Sequence, residues 1–432
     1  MFLSGNLGVN EKGHMTFGGI DTIEIVKDYK TPLYLIDEAM IRQNCRTFKN
    51  SIENYYEGNG MVCYASKALC CKEICRIMNE ESMGLDVVSG GELYTAISVG
   101  FPTSRICFHG NNKEDDELTL AIRHGVDRIV TDNFDEIERL NAIAEKNHKK
   151  VGVLIRIKPG VDAHTHDFIR TGQIDSKFGF ALETGEAFSA VNRILEMNNL
   201  ELRGIHCHIG SQILEVEPFQ HAAKIMLGFI AKVKNELGFE IKELNLGGGF
   251  GIRYTQDDDA PSYDEYMKLV AQTVSKTCEF YKIAQPFIII EPGRSIVGPA
   301  GITLYKVASI KEIPGIRSYV AINGGMTDNP RYPLYKAQYE MIIANKADKP
   351  KDYVATIAGK CCESGDLLGE NINIQTPQAG DILAVLSTGA YNYSMSSHYN
   401  RIANPAMVSI NNGKVKLIIK RETADDLIKN DI

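Results

Sequence analysis

The stretch MVCYAS, residues 61–66, is a short apolar run, and the residues after it have the spacing of an amphipathic helix. This strand-then-helix unit recurs along the chain. The apolar runs are MVCYAS (61–66), GLDVVS (84–89), RICFHG (105–110), RIVTD (128–132), VGVLIRIKPG (151–160), RGIHCHIG (203–210), KELNLGGGFG (242–251) and PFIIIEPGR (286–294). Runs that are apolar on both faces are typical of parallel strands covered by helices. Eight such units predict a (β/α)8 TIM barrel, which we place at residues 34–295.

The pattern changes after about residue 296, where apolar residues occupy every second position. The segments with this period are GITLYKVASIKEI, SYVAING, DYVATIAG, DILAVLS and AMVSI-NNG-KVKLIIKR, and the last predicts a hairpin that turns at residues 411–413. Residues 1–33 are too short to fold alone and contain the strand-like MTFGGI and TIEIV. We therefore predict an α/β protein whose C-terminal antiparallel β domain combines residues 1–33 and 296–432.

Charge and composition exclude several classes of protein. The 47 basic and 55 acidic side chains give a net charge of −8 without a Lys/Arg-rich run, which disfavours nucleic acids and anionic membranes as partners. The N-terminus lacks the pattern of a signal peptide, and no run of about 18 apolar residues occurs, so we expect a soluble cytoplasmic protein. The ten cysteines are too sparse for a disulfide scaffold and lack paired zinc-ligand spacing. We expect mostly reduced core thiols and no metal site.

Lys67 follows the first apolar run, in MVCYASKAL. The C-terminal ends of barrel strands carry the chemistry of TIM-barrel enzymes, and lysine is almost never buried without a role. A lysine amine in an apolar site can act as a nucleophile toward a carbonyl group. The alternative is a lysine whose stem lies along the barrel rim with its ammonium in water.

Two glycine-containing loops follow the seventh and eighth runs, in NLGGGFG (245–251) and EPGRS (291–295). Glycine lets the backbone approach an anion and direct N–H groups at it, and TIM barrels commonly build a phosphate site from these two loops. A tight strand-to-helix turn explains a single such loop equally well. The pair at this position in the fold favours a phosphate site.

Glu291 ends the apolar run FIII, so its carboxylate is buried unless a cation accompanies it. A protonated pyridine nitrogen is a suitable partner, and an acid beside it keeps the ring electron-poor. The alternative is a structural salt bridge with a barrel arginine such as Arg156. A nucleophilic lysine, phosphate loops and an acid for a pyridinium together predict pyridoxal 5′-phosphate as the cofactor.

His206 and His208 are two positions apart in RGIHCHIGSQ and therefore share one face of the sixth strand. We expect both to point into the barrel, with His208 at the cofactor and His206 one layer below as a core imidazole. The sequence leaves open whether Asp86, His109, Asn111 and Arg156 contact the cofactor or line the rim. In the β domain, CCESGD (361–366) combines a thiol with a carboxylate, and an ordinary loop is an equal alternative there.

These residues resemble the fold-type III pyridoxal-phosphate decarboxylases, and within that family the enzymes that act on diaminopimelate. The resemblance covers nearly the whole chain. It rests on the ordered motifs YASKA, GLDVVSGGEL, HGNNK, DSKFGF, GIHCHIGSQ, LNLGGGFG, EPGRSIV, GGMTDNPRYPLY, CCESGD and GAYNYSM. It implies decarboxylation of meso-2,6-diaminopimelate to L-lysine and CO2, the last step of lysine biosynthesis.

The resemblance also implies roles for individual residues. Lys67 corresponds to the lysine that holds the cofactor covalently, and His208 to the imidazole stacked on its ring. The expected cofactor-binding residues are Lys67, Asp86, His208, Ser211, Gly248, Gly249, Glu291, Gly293, Arg294 and Tyr391. The expected substrate-binding residues are Arg294, Arg331, Tyr335, Glu363 and Tyr391. Cys362 corresponds to the general acid.

Enzymes of this family form each active site between two subunits, which implies a homodimer in which the CES loop reaches the partner. Three alternatives remain open from the sequence. One is a decarboxylase of the same fold that acts on ornithine, arginine or carboxynorspermidine. The others are an amino acid racemase and a non-catalytic carrier of pyridoxal phosphate on a similar barrel.

Overall fold

The computed structural model describes residues 4–161 and 176–432, so Asp175 of the DSKFGF motif lies outside the described residues. The chain divides into two compact units. The barrel unit comprises Asn44–Gly251 and Ala260–Gly293, and the β unit comprises Met1–Gln43, Ile252–Asp259 and Arg294–Ile432.

The barrel unit contains a closed ring of eight parallel strands, as predicted. In chain order, the first to eighth barrel strands are Gly60–Ala65, Gly84–Val87, Ile106–Phe108, Arg128–Thr131, Val151–Lys158, Leu200–His206, Glu243–Asn245 and Phe287–Ile290. The eighth strand pairs with the first, which closes the ring. A short additional strand, Phe180–Ala181, pairs with the fifth.

Helices alternate with these strands, as the periodicity predicts. They are Glu38–Tyr56, which contains the division between the units, and Lys72–Glu80, Gly90–Ile97, Asp115–Arg123, Phe134–Lys146, Glu186–Leu195, Glu217–Leu237 and Tyr263–Tyr281. Phe134–Lys146 buries Ile137, Leu140 and Ala144 on one face. This helix thus packs an apolar stripe into the barrel unit, and its other face is polar.

The β unit contains two sheets. Leu7–Val9, Met15–Phe17 and Ile20–Asp21 form a small antiparallel sheet. The strands of the larger assembly are Leu33–Asp37, Gly301–Ile313, Arg317–Ile322, Met341–Ile343, Tyr353–Ala358, Leu367–Ile374, Ile382–Val385, Ala406–Asn411 and Lys414–Ile419. Most pairings are antiparallel, including the predicted hairpin of the last two strands. Two are parallel: Arg317–Ile322 with Tyr353–Ala358, and Leu33–Asp37 with Ala406–Asn411.

One predicted strand is wrong. The segment TIEIV lies in the helix Thr22–Tyr29, because the side chain of Asp21 accepts a hydrogen bond from Ile23 N and caps the helix. Thr22 and Ile25 are then buried on one helical face. The other helices of the β unit are Arg294–Val297, Arg331–Tyr335 and Ala424–Ile428.

The division between the units differs from the predicted boundary at residue 34. Leu33–Asp37 is fully buried and apolar enough to resemble a barrel strand, but it pairs with Gly301–Ile313 and Ala406–Asn411 in the β unit. All ten cysteines are free thiols, six of them buried. Within the described residues, no helix is long and apolar enough to cross a membrane.

Candidate active site

Glu291 directly follows the eighth barrel strand and is the centre of a buried polar network. Its Oε1 accepts hydrogen bonds from His109 Nε2 at 2.7 Å and Asn245 Nδ2 at 2.6 Å. Its Oε2 lies 3.3 Å from His206 Nε2. Burial alone would raise the pKa of Glu291, but His109 and His206 outweigh it and hold that pKa well below its usual value. The carboxylate is therefore ionised, and since it only accepts, both Nε2 atoms donate.

The contacts of Glu291 differ in part from the expectations drawn from the sequence. The possible salt bridge to Arg156 is not the contact of Glu291, because Arg156 stacks on the Phe178 ring at 4.1 Å and has Asp132 Oδ1 4.0 Å from its Nε. His206 is buried, as expected of a core imidazole, and its Nε2 contacts Glu291. No role was predicted for Asn245, although it lies at the C-terminal end of the seventh strand, where functional residues of such barrels are expected.

The two strand-six histidines are both neutral. Burial lowers the pKa of His206 to about 3. Burial, followed by the charges of Lys67 and Arg156, lowers the pKa of His208 well below its usual value. Gly248 N donates to His208 Nδ1 at 3.2 Å, which leaves the ring proton of a neutral imidazole on Nε2. The backbone thus fixes the tautomer and orientation of His208.

The predicted lysine and aspartate lie at neighbouring strands. Lys67 is half-buried in the single 3-10 turn Ser66–Ala68 that follows the first barrel strand. Asp86 lies within the second strand, and its Oδ1 is 3.8 Å from His109 Nε2. Burial raises the pKa of Asp86, while the charges of His109 and Lys67 oppose the rise. Within the described residues, Asp86 Oδ1 has no hydrogen-bond partner, so the site retains a buried acceptor for a ligand.

The glycines of the predicted phosphate loops are positions where the backbone leaves no room for a side chain. A Cβ on Gly248 would lie 2.1 Å from Glu291 O, and one on Gly293 would lie 2.9 Å from Ala65 Cβ. Gly249 has φ +112°, which L residues rarely adopt, and its Cβ would lie 2.5 Å from Gly210 O.

Backbone hydrogen bonds join two of these loops. Ile213 N donates to Gly249 O at 2.9 Å, and Gly251 N donates to Ile213 O at 3.0 Å. Ser211, half-buried in the loop after the sixth strand, is therefore held beside the glycine-rich loop. The barrel unit thus brings together an ionised acid, a neutral imidazole, a lysine and a glycine cradle, and these residues fit pyridoxal phosphate.

Two further polar residues of the barrel have structural contacts. The backbone carbonyl of Asn111 accepts from Asn133 Nδ2 at 3.2 Å. Lys113 is buried, and its Nζ contacts Gly110 O, Val130 O and Glu136 Oε1 at 2.7 to 2.8 Å, which anchors the loop that follows His109.

The His109, His206 and Glu291 donors lie within 4.8 Å of one another, a spacing that also suits a metal ion. In this structure the three side chains bind one another, because both imidazole Nε2 atoms are directed at the Glu291 carboxylate.

The β unit holds a second cluster, formed by two buried arginines and three tyrosines. Arg331 Nη1 donates to Tyr254 OH at 2.9 Å and to Tyr339 OH at 2.7 Å, and Arg294 Nη1 also donates to Tyr254 OH. The Arg294 guanidinium lies 4.7 Å from the centre of the Tyr391 ring. Tyr391 has φ +67°, a backbone strain typical of functional positions.

Arg331 forms no ion pair with a carboxylate anywhere in residues 4–161 and 176–432. A buried guanidinium whose partners are phenols is suited to bind a carboxylate from a ligand. Arg294 and Arg331 were predicted at such a site, whereas Tyr254 and Tyr339 were missed. Tyr254 comes only three residues after GGGFG, which was the available signal.

The remaining predicted residues are more exposed. Tyr335 is half-buried at the end of the helix Arg331–Tyr335. Cys362 and Glu363 are exposed in the single chain. Cys362 N donates to Asn400 Oδ1 at 2.7 Å, and Glu363 Oε1 accepts from Gly365 N at 3.2 Å.

Comparison with known proteins identifies the family of the chain. Residues 38–298 match the family described as pyridoxal-dependent decarboxylase, pyridoxal binding domain. The chain is 48% identical to the diaminopimelate decarboxylase of Bacillus methanolicus, over 98% of both chains. It is 47% identical to that of Bacillus subtilis (strain 168), over 100% of this chain and 98% of the relative.

A solved structure of diaminopimelate decarboxylase from M. jannaschii in complex with L-lysine is also similar. It superposes with a TM-score of 0.92 at 36% identity, covering 100% of this chain and 99% of the other. The family match spans the barrel unit, and the relatives and the solved structure span the barrel unit and the β unit alike. The chain therefore belongs to the diaminopimelate decarboxylase family of pyridoxal-dependent decarboxylases.

Proposed function

We propose that this chain decarboxylates meso-2,6-diaminopimelate to L-lysine and CO2, the last step of lysine biosynthesis. The observation that carries the proposal is the buried pair Arg294 and Arg331, which meet at one phenol oxygen. In the part of the chain that the structure describes, no carboxylate pairs with Arg331. Diaminopimelate offers a second carboxylate to such a pair. Lysine or ornithine bound as a substrate, with its single carboxylate at the reacting carbon, would leave Arg331 without an anionic partner among residues 4–161 and 176–432.

The barrel residues hold the cofactor in this proposal. Pyridoxal phosphate, when bound, supplies an electron-poor ring that accepts the electron pair released with CO2. Ionised Glu291 would hold the ring nitrogen in its protonated form, and neutral His208 would hold the ring. Lys67 would hold the cofactor covalently through its Nζ.

The cofactor phosphate is assigned to the loops after the sixth, seventh and eighth strands, with Ser211, Gly248, Gly249, Gly293 and Arg294 around it. The close backbone approaches at the three glycines support this assignment. Asp86, which keeps a buried acceptor oxygen, is the remaining proposed cofactor contact.

The substrate contacts come from the β unit. Arg294, Arg331 and Tyr335 bind the distal carboxylate, and Glu363 binds the distal ammonium. Cys362 donates the proton to the α-carbon after CO2 leaves, a step for which a positioned acid contributes roughly 10²- to 10⁴-fold. Tyr391, stacked against Arg294, contacts both substrate and cofactor.

We also propose a homodimer with shared active sites. Cys362 and Glu363 are exposed in the single chain, so they are accessible to a partner subunit. A cytoplasmic location remains a prediction from the sequence.

The activity test is CO2 release from meso-diaminopimelate, lysine, ornithine and arginine in parallel. We expect release from diaminopimelate alone at a substantial rate. Preferential release from ornithine or arginine would replace this proposal by the rival decarboxylases. Exchange of the α-hydrogen without loss of CO2, followed by NMR, would instead indicate a racemase.

Arg331→Leu tests the carboxylate assignment. We expect kcat/KM for diaminopimelate to fall about 10²-fold or more, because a bidentate contact to a buried carboxylate is lost. The control is Arg193→Leu, whose exposed guanidinium pairs with Glu138 in the barrel unit and whose loss should change kcat/KM less than about twofold. Similar losses in the two variants would contradict the role of Arg331.

A further inference from the structure

Tyr254 occupies an unusual position between the two arginines of the β unit. Its hydroxyl oxygen accepts from Arg294 Nη1 and, at 2.9 Å, from Arg331 Nη1. All three residues are buried, with exposed fractions of 6%, 6% and 7% for Tyr254, Arg294 and Arg331. The guanidinium carbons of Arg294 and Arg331 lie 5.7 and 5.1 Å from the centre of the Tyr254 ring.

Two buried positive charges that converge on one oxygen repel each other, and a neutral phenol offsets this repulsion only in part. A carboxylate carries a full charge and two acceptor oxygens, so it satisfies both guanidiniums better than one phenol oxygen does. A ligand carboxylate would therefore replace the Tyr254 oxygen as an acceptor for these arginines.

We propose that Tyr254 is a positioning residue that sets the affinity for the distal carboxylate: its oxygen holds the Arg294 and Arg331 donors together and yields them when the carboxylate binds. This inference rests on the proposed function, in which these arginines receive the second carboxylate of the substrate.

The surroundings of Tyr254 make this competition depend on pH. Besides the two arginines, the ionisable groups that face it are Tyr339, with its ring centre at 5.2 Å, and Asp258 and Glu340 on the backbone side. Burial would raise the pKa of Tyr254, but the charges of Arg294 and Arg331 outweigh burial and lower that pKa below its ordinary value.

The direction of the effect follows from the charge of the ionised form. As pH rises through the pKa of Tyr254, a phenolate forms and pairs with both guanidiniums. A ligand carboxylate must then displace a full negative charge, so its affinity falls as pH rises. Binding at alkaline pH must return the proton to Tyr254, and it is therefore accompanied by proton uptake.

The probe is heptanedioate, a seven-carbon dicarboxylate without amino groups, which does not itself titrate above neutral pH. Its binding to the cofactor-loaded enzyme is measured by calorimetry at about pH 7.5 and 9.5. In the wild type we expect Kd to rise at least about fivefold, and heats in buffers of different ionisation enthalpy to show uptake of a substantial fraction of a proton per site at the higher pH.

Tyr254→Phe should remove both the rise in Kd and the proton uptake. Tyr339→Phe is the matched variant: the Tyr339 hydroxyl accepts from Arg331 but does not join the two arginines, so its loss should leave the alkaline rise in place. An equal rise in Tyr254→Phe, or a wild type without proton uptake, would overturn the proposal. The uptake measurement needs only the wild type, so a lack of proton uptake overturns the proposal even if Tyr254→Phe fails to fold.

Neither measurement requires turnover. Proton-coupled binding of heptanedioate without CO2 release from diaminopimelate would reject the proposed function and keep the role of Tyr254. CO2 release with pH-independent binding would do the reverse.

Discussion

At the scale of single residues, Glu291 shows how a buried carboxylate stays charged. Desolvation disfavours its ionised form, whereas two imidazole N–H groups and the Asn245 amide favour it. The position after an apolar run was sufficient to identify an important acid. Its partners come from the third, sixth and seventh strands, so they could be found only once the barrel was closed.

Glu291→Gln removes the charge while keeping the size of the side chain. We expect kcat to fall roughly 10²-fold or more and pyridoxal phosphate to bind more weakly, because a neutral amide cannot stabilise a protonated ring nitrogen. The measurements are steady-state kinetics and titration of the apoprotein with cofactor followed by absorbance. Glu138→Gln, at an exposed glutamate that pairs with Arg193, is the control and should leave both unchanged.

His206 predicts a pH dependence of stability. Its pKa is about 3 in the folded chain and about 6.5 when unfolded, so between these values the unfolded state binds more protons. The contribution of His206 to the free energy of unfolding is therefore fully present above about pH 6.5. It is lost as pH falls toward 3, by up to about 1.4 kcal/mol per pH unit.

Thermal unfolding of the cofactor-loaded enzyme between pH 7 and 5 measures this loss. His206→Gln, which keeps a donor for Glu291, should reduce the fall in Tm by about 1–2 °C per pH unit. The control is His221→Gln, at an exposed position of helix Glu217–Leu237. Identical slopes in the wild type and in His206→Gln would contradict the interpretation.

At the scale of elements, Asp366 joins two loops of the β unit. Its Oδ1 accepts from Met326 N at 2.6 Å and its Oδ2 accepts from Cys361 N at 2.7 Å. Met326 lies in the loop that leads to Arg331, and Cys361 precedes Cys362. A Cβ on Gly325 or Gly359 would lie 2.2 to 2.5 Å from this carboxylate, so both glycines are required for the close approach.

Asp366→Asn replaces one acceptor oxygen by an NH2 group that faces a backbone N–H. We expect kcat/KM for diaminopimelate to fall about tenfold or more, because the proposed acid and substrate arginine lose their common support. Asp352→Asn, which alters an exposed contact to Thr376, is the matched control. A Tm loss in Asp366→Asn without any change in kcat/KM would show a purely structural role.

Element prediction from the sequence succeeded where tertiary contacts agree with the local pattern. The eight barrel strands and the hairpin at residues 411–413 follow from their periodicity. The segment TIEIV has β-branched residues typical of a strand, but a cap at Asp21 makes it a helix. Leu33–Asp37 has the composition of a barrel strand, and only its partners assign it to the β unit.

At the scale of the whole molecule, the proposed acid Cys362 and the proposed ammonium ligand Glu363 are both exposed. A general acid left in bulk water gives little control of the protonation step, so function requires a cover for this segment. A second subunit is the proposed cover, since it would bring the segment into a site that also contains Lys67.

Mixing two inactive variants tests shared sites. Lys67→Ala and Cys362→Ala should each be nearly inactive alone, whereas subunit exchange should restore activity to about 25% of wild type, because half of the dimers then have one intact site of two. Mixing either variant with itself is the control. No recovery after exchange, with dimers verified by size, would place Lys67 and Cys362 of the same chain in one site.

The sequence by itself determined the alternation that builds the barrel, the strand ends that carry Lys67, His208 and Glu291, and the glycines that bring backbone close to a ligand. These are local properties, since periodicity, backbone freedom and buried charge act over a few residues. Tertiary structure alone decided the donors around Glu291, the role of Asp366 and the convergence of Arg294 and Arg331 on Tyr254. The longer-range contacts among them join residues 40 to 182 positions apart in the chain, and only folding sets the distances on which hydrogen bonds and pKa values depend.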